Sequence, residues 1–276
     1  MPNTLSHRLP EPAVRPTPWW SSPVVRAKLV ELANHEFAKE EPDVGGIYVH
    51  SLQYFRENFA RLKALKSINK LFFAIKANPN KELIAEAIAM GSGIECVSLN
   101  ELKTVLSVAP SICGTRVLFT PNFAAKAEYA AIRSVFETPE RMNDPNIIQK
   151  LPFVTVDNLW TMEHWPMDLF DGLPLFVRVD PGEDGHGHHS YVHTGASSKF
   201  GVTREELIQF VTKTDKGRQL ATHIVGLHMH KGSGLQDPSQ WAKSAEMLLQ
   251  MKDSFPALKY IDLGGGIGVP YKPCGT

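Results

Sequence analysis

Short apolar runs alternate with amphipathic stretches from residue 47 almost to the end of the chain, and this alternation limits the possible folds. Each run is rich in β-branched or aromatic residues and nearly continuous in hydrophobicity, which is typical of strands buried on both faces of a parallel sheet. Parallel strands separated by helices predict either an open doubly wound sheet or a (β/α)8 barrel. Seven runs have this character: 71–75, 93–97, 116–119, 153–156, 175–179, 224–229 and 260–263.

The segments between the runs carry the signals of helices that cover a sheet. Leu83, Ile84, Ala87 and Ile88 fall on one helical face after Asn80, as expected for an amphipathic helix. Capping patterns mark further helix starts. These patterns are Ser98 with Glu101, Thr203 with Glu206, and Asp237 before Pro238.

Two regions are predicted along the chain. Residues 1–45 form a proline-rich arm followed by a helix from Val24 to about Lys39, and residues 46–276 form the barrel domain. The chain ends at Thr276, shortly after the seventh run, whereas a (β/α)8 barrel needs an eighth strand to close. We therefore expect an α/β barrel that is truncated before its eighth strand.

Composition excludes several classes of partner. Lys plus Arg and Asp plus Glu both number 29, so an extended polyanion-binding surface is not expected and no nucleic-acid partner is predicted. No apolar run approaches the roughly 20 residues of a membrane helix, and the N-terminus lacks a secretory pattern. The odd set of Cys96, Cys113 and Cys274 forms no CxxC pair, which indicates reduced thiols. These features predict a cytoplasmic protein without a membrane partner.

The first candidate for chemistry is Lys76, which closes the first apolar run. In parallel βα folds, ligands bind at the carboxyl ends of the strands. A partly desolvated lysine there would have a lowered pKa and could act as a Schiff-base nucleophile. The alternative is a lysine that simply extends from a strand end into solvent.

The sixth run places two histidines, His228 and His230, on the same side of a strand, because side chains alternate with period two. The imidazole of His230, nearer the strand end, could stack on a planar ring, and the pair could instead bind a metal. Ser233 lies between two glycines in the turn that follows, where backbone amides and a hydroxyl suit an anion. A glycine-rich turn beside a core histidine is the alternative.

The seventh run ends in three consecutive glycines, Gly264, Gly265 and Gly266. Without side chains, their backbone N–H groups can converge on a phosphate. The segment is neither a P-loop nor a dinucleotide fingerprint, because the required lysine and acidic partner are missing. A histidine-rich stretch, 186–189, follows the fifth run and is interpreted as an active-site loop or a solvated polar loop.

These strand ends together describe one ligand. A reactive amine, a ring-stacking imidazole and two phosphate-binding turns predict pyridoxal 5′-phosphate (PLP), which has a carbonyl, a flat ring and a phosphate. Two other interpretations stay open. One is a non-catalytic PLP-binding barrel, and the other is a metal-dependent barrel hydrolase that uses His228, His230 and the 186–189 cluster.

The motifs together resemble a known family, the barrel-type, alanine-racemase-like PLP-dependent amino-acid decarboxylases. Thr194, Gly195 and the segment 198–201 make the chain most similar to the diaminopimelate branch, rather than to the ornithine or arginine decarboxylases. The matching stretches are Phe73–Pro79, Glu95–Ser98 with Glu101-Leu102, Arg178–Gly182, Ser198–Gly201, Gly226–His230 with Gly232-Ser233, and Asp262–Gly268.

The resemblance implies PLP-dependent decarboxylation of meso-diaminopimelate to L-lysine and CO2. It implies that Lys76 binds the cofactor covalently and later moves protons, and that the His230 ring stacks on the pyridine. Glu95 replaces an aspartate common in the family. The remaining implied cofactor contacts are Arg178, Ser233, Gly264, Gly265 and Gly266.

The resemblance also implies parts that would lie beyond Thr276. These are the eighth strand, with a glutamate for the pyridine nitrogen, and a C-terminal β-domain that completes a homodimer and binds the amino-acid substrate. We therefore expect the 276-residue chain alone to decarboxylate poorly or not at all. The resemblance implies no metal site.

Overall fold

The computed structural model describes residues 18–38, 48–181 and 199–268. The chain divides into two compact units, Met1–Ile68 and Asn69–Thr276. The predicted boundary between residues 45 and 46 lies outside the described residues, so the assignment of domains stays a prediction.

The first unit contains two described helices, α1 (Pro23–Phe37) and α2 (Leu52–Lys63). A proline at the first position starts α1, where its missing N–H group costs no hydrogen bond. The Ser51 hydroxyl caps α2 by accepting a hydrogen bond from the Tyr54 N–H at 3.1 Å. The predicted helix from Val24 to about Lys39 is therefore present, with ends shifted by one and two residues.

The second unit alternates strands with helices, as the pattern of apolar runs predicts. All seven predicted strands are present, and one additional two-residue strand, Val202–Thr203, was not predicted. The strands are β1 (Phe72–Ala74), β2 (Gly93–Cys96), β3 (Val117–Phe119), β4 (Phe153–Val156), β5 (Leu175–Asp180), β6 (Val202–Thr203), β7 (Ile224–His228) and β8 (Tyr260–Asp262). The helices are α3 (Lys81–Ala89), α4 (Leu99–Val108), α5 (Lys126–Phe136), α6 (Pro139–Asn143), α7 (Leu159–His164), α8 (Arg204–Lys213), α9 (Asp215–Ala221) and α10 (Ser239–Gln250).

The predicted capping signals have different outcomes. Thr203 and Glu206 form the complete reciprocal capping box that starts α8. At α4 the Ser98 hydroxyl caps the Glu101 N–H, whereas the Glu101 carboxylate accepts from the Val97 N–H instead of closing the box. Helix α10 begins after the predicted Asp237-Pro238 pair, and the Asp237 carboxylate accepts from the Ser239 N–H at 2.9 Å.

The strand order distinguishes the two predicted architectures. The strands pair in parallel in the order β1-β2-β3-β4-β5-β7-β8, and β6 pairs with β5 outside this path. A doubly wound sheet reverses its order at a switch point, whereas a barrel adds strands in one direction. The uninterrupted order therefore confirms the barrel type of winding.

Side chains from both ends of this sheet meet in one cluster. Lys70, just before β1, reaches across this cluster, with its Nζ 5.4 Å and 5.2 Å from the ring centres of Phe153 and Tyr260. Because the first and last strands contribute to the same cluster, the sheet curls as a barrel wall does. The members are Phe72, Leu118, Phe153, Phe176, Val225 and Tyr260.

Glycines in two strands leave room for the rings of this cluster. A Cβ atom on Gly93 would lie 2.4 Å from the Phe72 ring, and one on Gly226 would lie 2.2 Å from the Phe176 ring. Real side chains do not approach so closely, so bulky residues at these two positions would force the rings to move. Small and large residues thus complement each other in the curled sheet.

Polar side chains follow the apolar layer toward the carboxyl ends of the strands. Residues two positions apart in a strand share a face, so each position two residues after the apolar layer lies on the same side of the sheet. Thr120, Thr155, Arg178 and Asp262 lie two positions after members of the cluster, and Glu95 and His228 lie two positions after the glycines that pack against its rings. These strands therefore build a polar layer at the edge where parallel βα folds bind ligands.

Candidate functional site

A hydrogen-bonded chain of three side chains joins the ends of β1, β2 and β3. Lys76 lies in the turn directly after β1, and its Nζ donates to Glu95 Oε1 at 2.9 Å. The same carboxylate oxygen accepts a hydrogen bond from Thr120 Oγ1 at 2.7 Å. The register that pairs Ala74 with Glu95 places the carboxylate beside the turn. The two predicted residues, Lys76 and Glu95, are therefore brought together.

The surroundings of Lys76 differ from the desolvated setting that the strand-end argument anticipates. Half of its side chain is exposed, at 50%, while that of Glu95 is 19% exposed. The ion pair with Glu95 therefore orients the amine, and burial contributes little to its environment. The prediction of a desolvated lysine is therefore wrong, and the amine is accessible to a ligand that arrives from solvent.

Arg178, the predicted cofactor contact on β5, is buried and held by several partners. Its Nη1 atom donates to Asn122 Oδ1 at 3.1 Å and lies 3.7 Å from Asp157 Oδ1. Its guanidinium lies over the ring of Phe200, 4.5 Å from the centre, in a cation–π contact. Burial lowers the pKa of this guanidinium, an effect that the Asp157 carboxylate opposes. Arginine nevertheless remains charged in proteins.

Asp157, which directly follows β4, is buried beside Arg178 and was not among the predicted site residues. Its Oδ1 atom accepts from the Gly201 N–H at 3.3 Å. Its Oδ2 atom is buried and has no hydrogen-bond partner among the described residues. Burial raises the pKa of Asp157 to about 6, although the positive charge of Arg178 opposes the rise. A polar residue directly after a buried strand was the available signal, the same one that identified Lys76.

Asp157 predicts a measurable pH dependence of stability. Its pKa in the folded chain is raised from 3.8 to about 6, so folding favours the protonated carboxyl. Its contribution is fully present below the unfolded pKa and is lost as pH rises through about 6. Relative to Asp157→Asn, the wild-type free energy of unfolding should fall by roughly 2 kcal/mol between pH 4 and pH 8.

The measurement is chemical denaturation of the wild-type and variant chains at several pH values. Asp253→Asn provides the control, because Asp253 is exposed and its substitution should not reproduce the trend. A difference between wild type and Asp157→Asn that stays constant over this pH range contradicts the assignment.

His228 and Asp262 form a hydrogen-bonded pair at the ends of β7 and β8, in which His228 is buried and Asp262 is partly exposed. The Nδ1 atom of His228 lies 2.7 Å from Asp262 Oδ2, and Asp262 Oδ1 accepts from the Gly264 N–H at 2.9 Å. Burial tends to raise the pKa of Asp262, but the charge and hydrogen bond of His228 outweigh burial and hold the pKa below its usual value. The carboxylate is therefore ionised near neutral pH.

His230 packs against the three-glycine turn. The Gly265 N–H donates to His230 Nδ1 at 3.4 Å. Gly264 has a φ angle of 66°, and a Cβ there would lie 2.7 Å from the same nitrogen. The ring and the turn backbone are therefore in direct contact.

The turn also packs against the loop that contains Ser233. The Leu235 N–H donates to the Gly266 carbonyl at 2.8 Å. Ser233 is exposed, and a Cβ placed on Gly234 or Gly265 would meet no atom within 4 Å. Two glycine turns thus present an open backbone surface beside an imidazole, which suits a phosphate ester.

The predicted residues form two groups. Lys76 and Glu95 lie at the ends of β1 and β2, and His230 lies with the glycine turns that follow β7 and β8. Arg178, on β5, lies between the two groups in the strand order. Arg178 pairs in register with His228, and the negative charge of Glu95 also acts on its guanidinium. An amine, an imidazole and an open glycine backbone at one sheet edge fit an aldehyde, a ring and a phosphate. The predicted loop at 186–189 lies outside the described residues.

In the part of the chain that the structure describes, no three His, Cys, Asp or Glu side chains lie close enough together to hold a metal ion. No helix in the same ranges has the length and apolar character needed to cross a membrane.

Comparisons with known proteins agree with this architecture. Residues 52–274 match the family model of the pyridoxal-dependent decarboxylases, pyridoxal binding domain. Diaminopimelate decarboxylase of Methanothermobacter thermautotrophicus is 30% identical over 82% of this chain and 50% of its own length. The Deinococcus radiodurans enzyme of the same name is 28% identical over 71% of this chain and 46% of its own length. The chain therefore spans about half the length of these relatives.

Solved structures share the fold. Diaminopimelate decarboxylase of Helicobacter pylori, complexed with L-lysine, has a TM-score of 0.67 at 21% identity and covers 87% of this chain and 58% of its own. Lysine/ornithine decarboxylase of Vibrio vulnificus, complexed with putrescine, has a TM-score of 0.64 at 22% identity, over 88% and 57% of the two chains. Because the family model matches most of its residues, this chain belongs to the pyridoxal-dependent decarboxylases and carries their pyridoxal binding domain.

Proposed function

We propose that this chain is the cofactor-binding part of a PLP-dependent carboxy-lyase that converts meso-diaminopimelate to L-lysine and CO2. The observation that carries the proposal is the amine of Lys76, held 2.9 Å from the Glu95 carboxylate at the strand edge. The names of the relatives support this substrate, and L-lysine, bound in the Helicobacter pylori structure, is the product of this reaction.

The residues at the ends of β1 to β3 would prepare the amine. When bound, PLP supplies an aldehyde that condenses with amines and a ring that accepts the electron pair left by CO2. The Glu95 carboxylate orients the Lys76 amine and can hold the proton that the amine must lose to become a nucleophile. The Thr120 hydroxyl fixes the accepting oxygen of Glu95 through its 2.7 Å hydrogen bond.

The residues at the ends of β5, β7 and β8 would hold the rest of the cofactor. The His230 imidazole, supported by the Gly265 N–H, offers a flat surface for the ring. Ser233 and the backbone of Gly264 to Gly266 would bind the phosphate. The buried charge of Arg178 partly neutralises the surrounding carboxylates.

The complete protein is proposed to be a cytoplasmic homodimer, with the proline-rich arm in residues 1–45 and the barrel from residue 46. The family resemblance supports the dimer, and the balanced charge with reduced thiols supports the location. The substrate is a small amino acid in every branch of the family considered. Ornithine and arginine are the competing substrates to test, because decarboxylases that act on them share this fold.

The test uses the protein expressed from its complete reading frame and measures the amine or amino-acid product. With PLP present, we expect lysine from meso-diaminopimelate, no product from the Lys76→Ala variant, and full activity in the Lys81→Ala control, since Lys81 is exposed at the start of α3. A preference for ornithine or arginine contradicts the proposed substrate. Bound PLP without any product contradicts the lyase activity and supports a non-catalytic PLP-binding barrel.

A further inference from the structure

Asp262, the last residue of β8, makes contacts with both β7 and the three-glycine turn. Its Oδ2 atom lies 2.7 Å from His228 Nδ1, and its Oδ1 atom accepts from the Gly264 N–H at 2.9 Å. Its main-chain carbonyl accepts from the Met229 N–H at 2.9 Å. One residue therefore fixes the point where the chain leaves the sheet and enters the turn.

The position of this turn is coupled to the position of the His230 ring. The Gly265 N–H donates to His230 Nδ1 at 3.4 Å, and the Gly264 backbone lies so close that a Cβ would be 2.7 Å from the same atom. Because the Asp262 carboxylate holds the Gly264 N–H, a displaced carboxylate would release both the turn and the support of the ring.

The charge of Asp262 needs explanation, because a carboxylate beside a phosphate site repels the ligand. Both carboxylate oxygens have donors, the ring of His228 and the N–H of Gly264. These partners hold its pKa below the usual value despite burial, so the negative charge is compensated locally. The geometry of this carboxylate therefore suits holding the turn backbone in place, and not binding the anion itself.

We propose that Asp262 is a positioning residue that gives the site its preference for phosphorylated pyridoxal. Anchored by His228, it would hold the backbone of residues 264–266 in the conformation that receives the phosphate. The inference rests on the proposed function in assuming that PLP binds at this edge. It extends that function by assigning the recognition of the phosphate to a side chain that does not touch it.

The experiment measures the dissociation constants of the 276-residue chain for PLP and for pyridoxal, which has the aldehyde but lacks the phosphate. The wild-type chain should prefer PLP. Asp262→Ala should lower this preference by about tenfold, equivalent to about 1.4 kcal/mol, with pyridoxal binding little changed. Asp262→Asn keeps the Oδ1 acceptor and should restore most of the preference. The control is Asp253→Ala, at an exposed position.

Each outcome decides between the claims. An unchanged preference in Asp262→Ala, or an equal loss for both ligands, contradicts the positioning role. A wild-type chain that binds neither ligand contradicts the proposed function instead. If Asp262→Ala does not fold, the His228→Ala variant tests the inference, because it removes the hydrogen-bond partner of Asp262 Oδ2. This variant should lower the preference for PLP over pyridoxal by about threefold. An unchanged preference in that variant also contradicts the inference.

Discussion

Replacement of Lys76 by alanine should abolish the covalent retention of PLP by this chain. The Lys76 amine is accessible and paired with Glu95 at 2.9 Å, and no other residue predicted to contact the cofactor carries a primary amine. The variant should lose the visible absorption of the bound cofactor, and its affinity for PLP should fall by about tenfold or more. Absorption spectra after dialysis, combined with equilibrium titration, measure both effects.

Two variants serve as controls for this prediction. Lys81→Ala removes an exposed lysine at the start of α3 and should retain both the absorption and the affinity. Lys76→Arg keeps a positive charge near Glu95 but not a primary amine, so it should lose the absorption while folding normally. Visible absorption that persists in Lys76→Ala would contradict the assignment of the amine.

Substitution of Gly266 by alanine should disrupt the three-glycine turn. The φ angle of Gly266 is 81°, a conformation that is unfavourable for residues with a Cβ. A Cβ there would also lie 1.9 Å from the Gly232 carbonyl oxygen, so the backbone of the neighbouring loop would have to move. We expect the free energy of unfolding to decrease by about 2–3 kcal/mol. Chemical denaturation at neutral pH measures this change.

Gly265 provides a matched control within the same turn. A Cβ on Gly265 would meet no atom within 4 Å, so Gly265→Ala should change the free energy of unfolding by no more than about 0.5 kcal/mol. Equal destabilisation by the two substitutions would contradict the packing of the turn against the 232–235 loop.

The strands were predictable because each coincides with a nearly continuous apolar run; β3, β4 and β5 are fully buried, whereas β1 and β8 at the two ends of the sheet are partly buried. Phe153–Val156 has the predicted bounds, and Leu175–Asp180 extends the prediction by one residue. The two-residue strand Val202–Thr203 was missed, since it is too short to show any periodicity and exists through its pairing with β5. The apolar pattern thus predicts strands of three to six residues, whereas a two-residue pairing depends on tertiary contacts.

The candidate residues that the sequence singles out are those that lie in short motifs. Lys76, His230 and the three glycines stand out in the sequence, and the structure brings His230 and the glycines into contact. Thr120 and Asp157 were missed because a single threonine or aspartate after a strand is common. The strand register gives these two residues their partners, because it brings Thr120 within hydrogen-bond distance of Glu95 and Asp157 beside Arg178.

The solvent exposure of the site side chains was difficult to predict from the sequence. A lysine after an apolar strand suggests desolvation, yet half of the Lys76 side chain is exposed. Lys76 lies in the turn after β1 and not in the strand itself, and the apolar pattern does not show where the strand ends. Conversely, His228 is buried because Asp262 supplies a partner from the next strand.

Mass spectrometry can identify the lysine that carries the cofactor. The chain would be incubated with PLP, reduced with borohydride and digested before its peptides are analysed. We expect one stable adduct, on the peptide that contains Lys76. An adduct on Lys199 or Lys231 in its place, or no adduct on any peptide, would contradict this expectation.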